Sequence, residues 1–163
     1  MKYFCLFLFV FLLISCKNNP AQTTDQMEMT LKAAPATTGA GDSVTITAEV
    51  VNTGATDCQH AEGCSFWAHG MQITFFDPGN NQVYLWDPRY RRLCPDYFVA
   101  FAPGEKLTGV IHFNGKLFDS SGVQSDAAAG TYTARVSFTP MHGTPVQEDS
   151  VVERSVSFQW IAR

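Results

Sequence analysis

Residues 57–70, "DCQHAEGCSFWAHG", concentrate side chains that bind metal ions. Cys58 and Cys64 offer thiolates, and His60 and His69 offer imidazoles, which are the ligands that zinc and copper prefer. Their spacing matches none of the usual zinc frameworks, which are built on paired C-x-x-C knuckles. We therefore predict no metal or other cofactor, and keep these four residues as the candidate ligands of an alternative metal site.

The same cysteines can form a disulfide instead. The body of the chain contains three cysteines, Cys58, Cys64 and Cys94, and three pairings are open. In an oxidising compartment such a set ordinarily gives one disulfide and one remaining cysteine. We expect a bond that pins the loop of residues 57–67, either Cys58 with Cys64 or one of them with Cys94. Such a bond typically stabilises a fold by about 2 to 4 kcal/mol.

A second segment, residues 85–98, "LWDPRYRRLCPDYF", combines arginines with aromatic side chains in an otherwise acidic chain. Arginine, tryptophan and tyrosine dominate binding hot spots because they bury a large area and keep directed donors. The alternative is a solvated connection in which Trp86 and Phe98 belong to the core and the arginines pair with nearby acids. The candidate partner-binding residues are Trp86, Arg89, Tyr90, Arg91, Arg92 and Tyr97.

Neither catalysis nor nucleic-acid binding has a sequence signature. The chain has no G-x-S-x-G elbow, no H-E-x-x-H motif and no glycine-rich phosphate loop, so no catalytic residue is predicted. His112 falls on the polar face of a predicted strand, and His142 falls in a loop between two strands. A formal charge of −4 and a pI near 5.4 argue against a nucleic-acid surface, which requires basic residues.

The N-terminus carries the pattern of an export signal. Lys2 precedes an uncharged apolar run over residues 3–14, which is too short to span a bilayer as a mature helix. The following residues, "LISC", resemble the bacterial lipobox, in which the signal is cut before the cysteine and that cysteine is acylated, for example with palmitate. The resemblance implies a signal peptide over residues 1–15 and lipidation of Cys16. An ordinary secretory signal cut elsewhere, or an uncleaved anchor, would also export the domain.

Residues 16–26 are predicted to form the lipidated start and a flexible tether, since "KNNPAQTTDQ" is polar and has no periodicity. The membrane is thus one expected partner, reached through the N-terminal lipid. We expect the protein in the cell envelope, on the outer membrane or periplasmic face in a two-membrane bacterium, or at the cell surface.

Residues 27–163 are predicted to be one all-β domain, because short runs alternate apolar and polar residues between turn signals. The predicted fold is an immunoglobulin-like antiparallel β-sandwich of about seven to eight strands. Tyr132, after Gly130, is either a tyrosine corner or an ordinary core residue. The predicted strands cover residues 27–33, 44–50, 71–76, 82–86, 106–113, 131–138 and 151–160.

Residues 41–138 resemble the BsuPI family, which is named for an intracellular proteinase inhibitor and has an immunoglobulin-like sandwich. The matching pieces are "VVNTG", "FWAHGMQITFFDPGNNQVYLW", "FAPGEKLTG" and "AAGTYTARVSF". The export signal and the cysteines of the body depart from a cytoplasmic inhibitor. The expected function is a lipid-anchored, noncatalytic protein-interaction module of the envelope with a partner of unknown identity. The alternatives are an inhibitor of an exported protease and a Cys/His metal-binding envelope protein.

Overall fold

The computed structural model describes residues 26–39, 41–63, 67–89, 97–143, 147–148 and 150–162, and within these ranges the chain forms strands and no helix. Accordingly, the described ranges hold no helix with the length and apolar character needed to cross a bilayer. The strands are β1 (Met27–Ala34), β2 (Thr37–Gly39), β3 (Val44–Asn52), β4 (Cys58–Glu62), β5 (Met71–Phe76), β6 (Gln82–Val83), β7 (Tyr97–Phe101), β8 (Lys106–Phe113), β9 (Lys116–Phe118), β10 (Gln124–Asp126), β11 (Gly130–Phe138), β12 (Met141–His142), β13 (Gln147–Glu148) and β14 (Val152–Ile161).

Two sheets form the body of the domain. One has the strand order β1-β3-β8, and the other has the order β2-β14-β11-β5-β6. Their pairings are antiparallel except for β2, which runs parallel to β14. Side chains from both sheets share the same buried clusters, so the sheets pack face to face. This confirms the predicted immunoglobulin-like β-sandwich, in which eight of the described strands have five or more residues.

The long strands follow from a strict alternation of apolar residues with polar or exposed ones. In β3, Val44, Ile46, Ala48 and Val50 are fully buried, and the residues between them are partly exposed. A strand with one face on a core requires this period of two. The predicted inward faces of β8, β11 and β14 are confirmed in the same way, by the buried residues Leu107, Phe113, Tyr132, Ala134, Val136, Phe138, Phe158 and Trp160.

Two local predictions are wrong. The expected loop at residues 57–67 contains strand β4, because Cys58–Glu62 pair with Tyr97–Phe101 of β7. The expected partner strand over residues 82–86 ends at Val83. It stops because Tyr84 exchanges main-chain hydrogen bonds of 2.9 and 2.8 Å with Phe118, so the chain leaves β5 for β9.

Phe113 is the centre of the larger buried cluster. Its ring lies 4.9 Å from the Trp160 ring, 5.0 Å from Phe158 and 5.2 Å from Tyr132, measured between centroids. The chain reverses direction two residues later at Gly115, whose φ of 78° is in the left-handed region. A Cβ at Gly115 would lie 2.2 Å from the Trp160 indole, so this turn requires glycine for space as well as for conformation.

Tyr132 forms a tyrosine corner, which is one of the two alternatives that the sequence left open. Its side chain is 1% exposed, and its hydroxyl donates a 3.0 Å hydrogen bond to the main-chain oxygen of Ala128. Burial raises the pKa of the phenol. Tyr132 is therefore both a core residue and the brace that fixes the entry into β11.

We predict that Gly115→Ala destabilises the domain more than Gly104→Ala does. Both glycines have nearly the same φ, 78° and 77°, but a Cβ at Gly104 would have no neighbour within 4 Å. Gly104→Ala should lower the free energy of unfolding by about 1 kcal/mol through backbone strain. Gly115→Ala should cost about 1 to 3 kcal/mol more because of overpacking against Trp160. Urea unfolding of both variants checks this, and equal losses would contradict the packing argument.

Candidate recognition surface at one end of the sandwich

A third sheet closes one end of the sandwich. Its strand order is β13-β12-β4-β7, and we call it the end sheet. Strand β4 belongs to the connection from β3 to β5, β7 leads into β8, and β12 and β13 connect β11 to β14. The end sheet thus gathers three connections at a single end. Connections gathered at one end of a rigid sandwich commonly carry recognition.

The buried amide of Asn52, the last residue of β3, joins the end sheet to the sandwich. Its Nδ2 donates to Phe101 O at 2.9 Å and to Thr56 O at 3.1 Å, and its Oδ1 accepts from Gly54 N at 2.9 Å. The main chain of Asn52 also bonds to the turn between β7 and β8, through Gly104 N and Glu105 O. One residue therefore ties the end of β3 to β7 and to two turns.

Cys58 lies beside this amide. It is 2% exposed, and its Sγ is 3.6 Å from Phe101 O and 3.8 Å from Asn52 Nδ2. The structure places it at the start of β4 rather than in a loop. The other disulfide candidates, Cys64 and Cys94, lie outside the described residues, as does Cys16, so the pairing and the lipidation stay predictions.

His60 is a buried, titratable residue in the middle of β4. It is 1% exposed, and its ring packs 6.1 Å from Phe101 and 6.2 Å from Phe138. Its Nδ1 atom has no hydrogen-bond partner among the described residues. Burial lowers the pKa of His60 below its ordinary value, opposed in part by the Glu62 carboxylate. His60 is one of the four candidate ligands of the alternative metal site, and the structure places its imidazole inside an aromatic cluster.

Glu62 connects the exposed end of β4 to two neighbours. Its carboxylate contacts His69 Nδ1 at 2.7 Å and accepts a 3.0 Å hydrogen bond from the Tyr97 hydroxyl. The bond from His69 holds the pKa of Glu62 below its usual value, and the bond to Glu62 raises the pKa of Tyr97. The three side chains form a brace that fixes the start of β7.

This arrangement does not assemble the alternative metal site from the described residues. His69 Nδ1 is bonded to Glu62. The ring centroids of His60 and His69 are 6.3 Å apart, and the two rings are nearly perpendicular. Among the parts of the chain that the structure describes, no three His, Cys, Asp or Glu residues form a group that could hold an ion. Cys64 lies outside those parts, so its contribution stays untested.

Three described aromatic residues between positions 85 and 98 lie at the surface. Trp86 is 48% exposed, Tyr97 57% and Phe98 52%, so the interpretation of Trp86 and Phe98 as core residues is wrong. Arg89 donates to the Asp87 carboxylate from Nε at 2.9 Å, and it lies against Gly122 of the β9–β10 turn. The remaining candidates, Tyr90, Arg91 and Arg92, lie outside the described residues.

These residues divide between two places. Asp87 and Arg89 contact the turn between β9 and β10, and Trp86 precedes them in the chain. Tyr97 and Phe98 begin β7 in the end sheet. Tyr97 was a sequence candidate, whereas its hydrogen-bond partner Glu62 and the neighbouring residue Phe98 were not among the partner-binding candidates. The run "YFVAF", which contains five apolar residues in succession, was the available signal for a strand.

Comparison with known proteins yields distant structural likenesses. No family model matches the chain, and no curated protein matches it. A β-glucosidase from Erythrobacter marinus is 16% identical, with a TM-score of 0.45 over 83% of this chain and 15% of that chain. A β-glucosidase from Listeria innocua in complex with isofagomine is 14% identical, with a TM-score of 0.43, and the match covers 84% of this chain and 16% of that chain. The chain thus spans about 15% of the length of these enzymes.

The third likeness covers most of both chains. The CARDB domain of a Pyrococcus furiosus protein, solved in complex with di-metal ions, is 12% identical to this chain. The match has a TM-score of 0.40 and covers 84% of this chain and 87% of that chain.

We predict that Asn52→Ala lowers the free energy of unfolding by about 2 to 4 kcal/mol, because it leaves buried main-chain groups without partners. Asn114→Ala is the matched control. Asn114 is exposed and accepts one bond, from Lys116 N at 3.1 Å, so its loss should be below about 1 kcal/mol. Urea unfolding followed by tryptophan fluorescence measures both. Similar losses would show that Asn52 does not hold the end sheet in place.

The lowered pKa of His60 predicts a stability that falls with acidification. The unfolded chain binds a proton on this residue near pH 6.5, whereas the folded chain resists protonation until the pH is lower. The free energy of unfolding should therefore decrease as the pH falls below about 6.5. In His60→Leu this decrease should be smaller between pH 7 and about 5. Urea unfolding across this range checks it, and an unchanged slope in the variant would assign the pH dependence to other groups.

Proposed function

We propose that the protein is a lipid-anchored, noncatalytic interaction module of the cell envelope, which binds another protein through the end sheet. The supporting observation is the exposure of Tyr97 and Phe98, each more than half accessible, on a strand whose other end is buried. Large apolar side chains at the surface mark interaction sites. As successive residues of one strand, the two rings lie on opposite faces of the end sheet, and both border its edge. The lipobox-like "LISC" supports the anchor.

The end sheet has the rigidity that a recognition surface needs. Phe101 is fully buried, its main-chain oxygen accepts the Asn52 bond, and Tyr97 is held by Glu62. The Tyr97 ring at one of these points and the Phe98 ring next to it need little ordering when a partner binds. Binding to a surface that is already fixed costs less conformational entropy than binding to a loop.

Arg89 belongs to a second surface, beside the β9–β10 turn. Its side chain is 61% exposed and is paired with Asp87. That pairing holds the pKa of Asp87 below its usual value. A paired guanidinium still offers directed donors to a partner. We propose that Arg89 extends the interface when a partner is large enough to reach from the end sheet to this turn.

Site-specific cross-linking in the source bacterium tests this function. A photo-reactive phenylalanine analogue placed at Tyr97 should give discrete adducts with one envelope protein, because this side chain lies within the proposed interface. The same analogue at Gln159, an exposed position on β14, is the control and should give none. Labelled palmitate added to the same cultures should enter the native chain and the Cys5→Ala variant, and should not enter Cys16→Ala.

Two outcomes would contradict the proposal. Equal adducts from positions 97 and 159 would mean that the end sheet has no privileged partner. Palmitate in the Cys16→Ala variant would mean that Cys16 is not the anchored residue.

A further inference from the structure

We infer that β7 binds its partner by strand addition: an extended, uncharged segment of the partner protein pairs with the open edge of the end sheet. This inference rests on the proposed function and specifies the kind of partner. Within the described residues, β7 is the last strand of its sheet and pairs with β4 alone. Alternate residues of such a strand direct their main-chain N–H and C=O groups away from the sheet, where another strand can bind them.

The composition of β7 favours pairing. Its five residues, "YFVAF", include no charged residue, no proline and no glycine. Aromatic and β-branched residues are enriched in strands, and edge strands that must stay unpaired usually carry charges, prolines or bulges. Strand β7 has none of these protecting features in its sequence.

Another edge strand of the domain is covered in a way that β7 is not by any residue that the structure describes. Strand β8 is an edge strand of the three-stranded sheet. The Trp67 indole donates a 3.2 Å hydrogen bond to the main-chain oxygen of Val110 in this strand. A Cβ at Gly109 would lie 3.1 Å from the same indole, so the ring lies directly on β8. Strand β8 also carries Lys106, which pairs with Glu49.

Size and charge select the occupant. Two copies joined through five-residue edges would contribute far fewer than the roughly 20 to 30 residues a side of a stable interface. A flexible segment can instead pair along residues 97–100 of β7 and lay its side chains beside Tyr97 on one face and Phe98 on the other. The Glu62 carboxylate of β4, which lies beside the start of β7, is already bonded to His69 and Tyr97. Strand β7 therefore offers a partner its main-chain groups and apolar side chains. These groups fit an uncharged segment with β-branched or aromatic residues at alternate positions.

Peptide titration of the isotope-labelled full chain in detergent micelles tests strand addition. The probe is the acetylated, amidated peptide KVTFTVK, whose uncharged central residues VTFTV represent the segment. Its fully N-methylated counterpart is the control, with the same side chains, the same charge and no main-chain donors. At about 1 mM, the level at which weak peptide complexes form, the unmodified peptide should shift the β7 amide resonances in NMR spectra. It should also slow hydrogen exchange at alternate β7 amides, whereas the methylated peptide should leave them unchanged.

A matched pair of variants locates the contact. Phe98→Ser should weaken binding of the probe at least fivefold, a change of about 1 kcal/mol. Val123→Ser should have no effect, because Val123 is 62% exposed but lies in the β9–β10 turn. Equal binding of the methylated peptide, or amide shifts confined to other strands, would overturn strand addition.

The remaining outcomes identify other occupants. A dimer that Phe98→Ser dissociates would mean that a second copy occupies the edge. Contacts between residues 16–25 and β7 in the absence of peptide would mean that the chain covers its own edge. If the peptide does not bind but cross-linking from position 97 is retained, the strand-addition hypothesis is wrong and the proposed function stands. Loss of both would remove the proposed function as well.

Discussion

The Asn52 amide must satisfy each of its polar atoms inside the protein, because no water reaches it, and this constraint fixes how the end sheet meets the sandwich. Its bonds to Phe101, Thr56 and Gly54 hold β7 and the turn before β4 in one relative position. The position of the exposed aromatic residues on β7 depends on those bonds, since Phe101 belongs to the same short strand.

The apolar core continues from the sandwich into the end sheet. The second buried cluster contains Val50 and Leu107 of one sheet and Phe138 of the other, together with Cys58 and Phe101 of the end sheet. The proposed recognition surface therefore rests on packed side chains instead of projecting as loops. His60 packs against the aromatic residues of this region, so the protonation state of one buried imidazole and the packing of the surface strand are linked.

Strands with one buried face and one exposed face could be predicted from the sequence. Strand β3 alternates without exception, and the aromatic faces of β8, β11 and β14 do so nearly as well. Strand β4 could not be recognised, because Cys58, His60 and Ala61 are all buried and the period of two is lost. The hydrogen bond from Asn52 to Phe101 joins residues that are 49 positions apart in the chain. The residues around either of them in the sequence do not indicate this contact. The candidate ligands and residues 85–98 stand out in the sequence by their composition, but the contacts of the described residues among them depend on tertiary structure.

The start of β1 has a mechanical consequence. Met27 pairs with Asn52, and the main-chain oxygen of Gln26 accepts bonds from Thr53 and Gly54, so the chain enters the domain at the end-sheet end. A membrane tether at the N-terminus and a partner on β7 would therefore pull on the same end of the molecule. Tension between them would pass through the Asn52 turn and the end sheet, and the hydrogen bonds joining β11 to β14 would carry little of the load. The sandwich would then act as a rigid support beside the line of force.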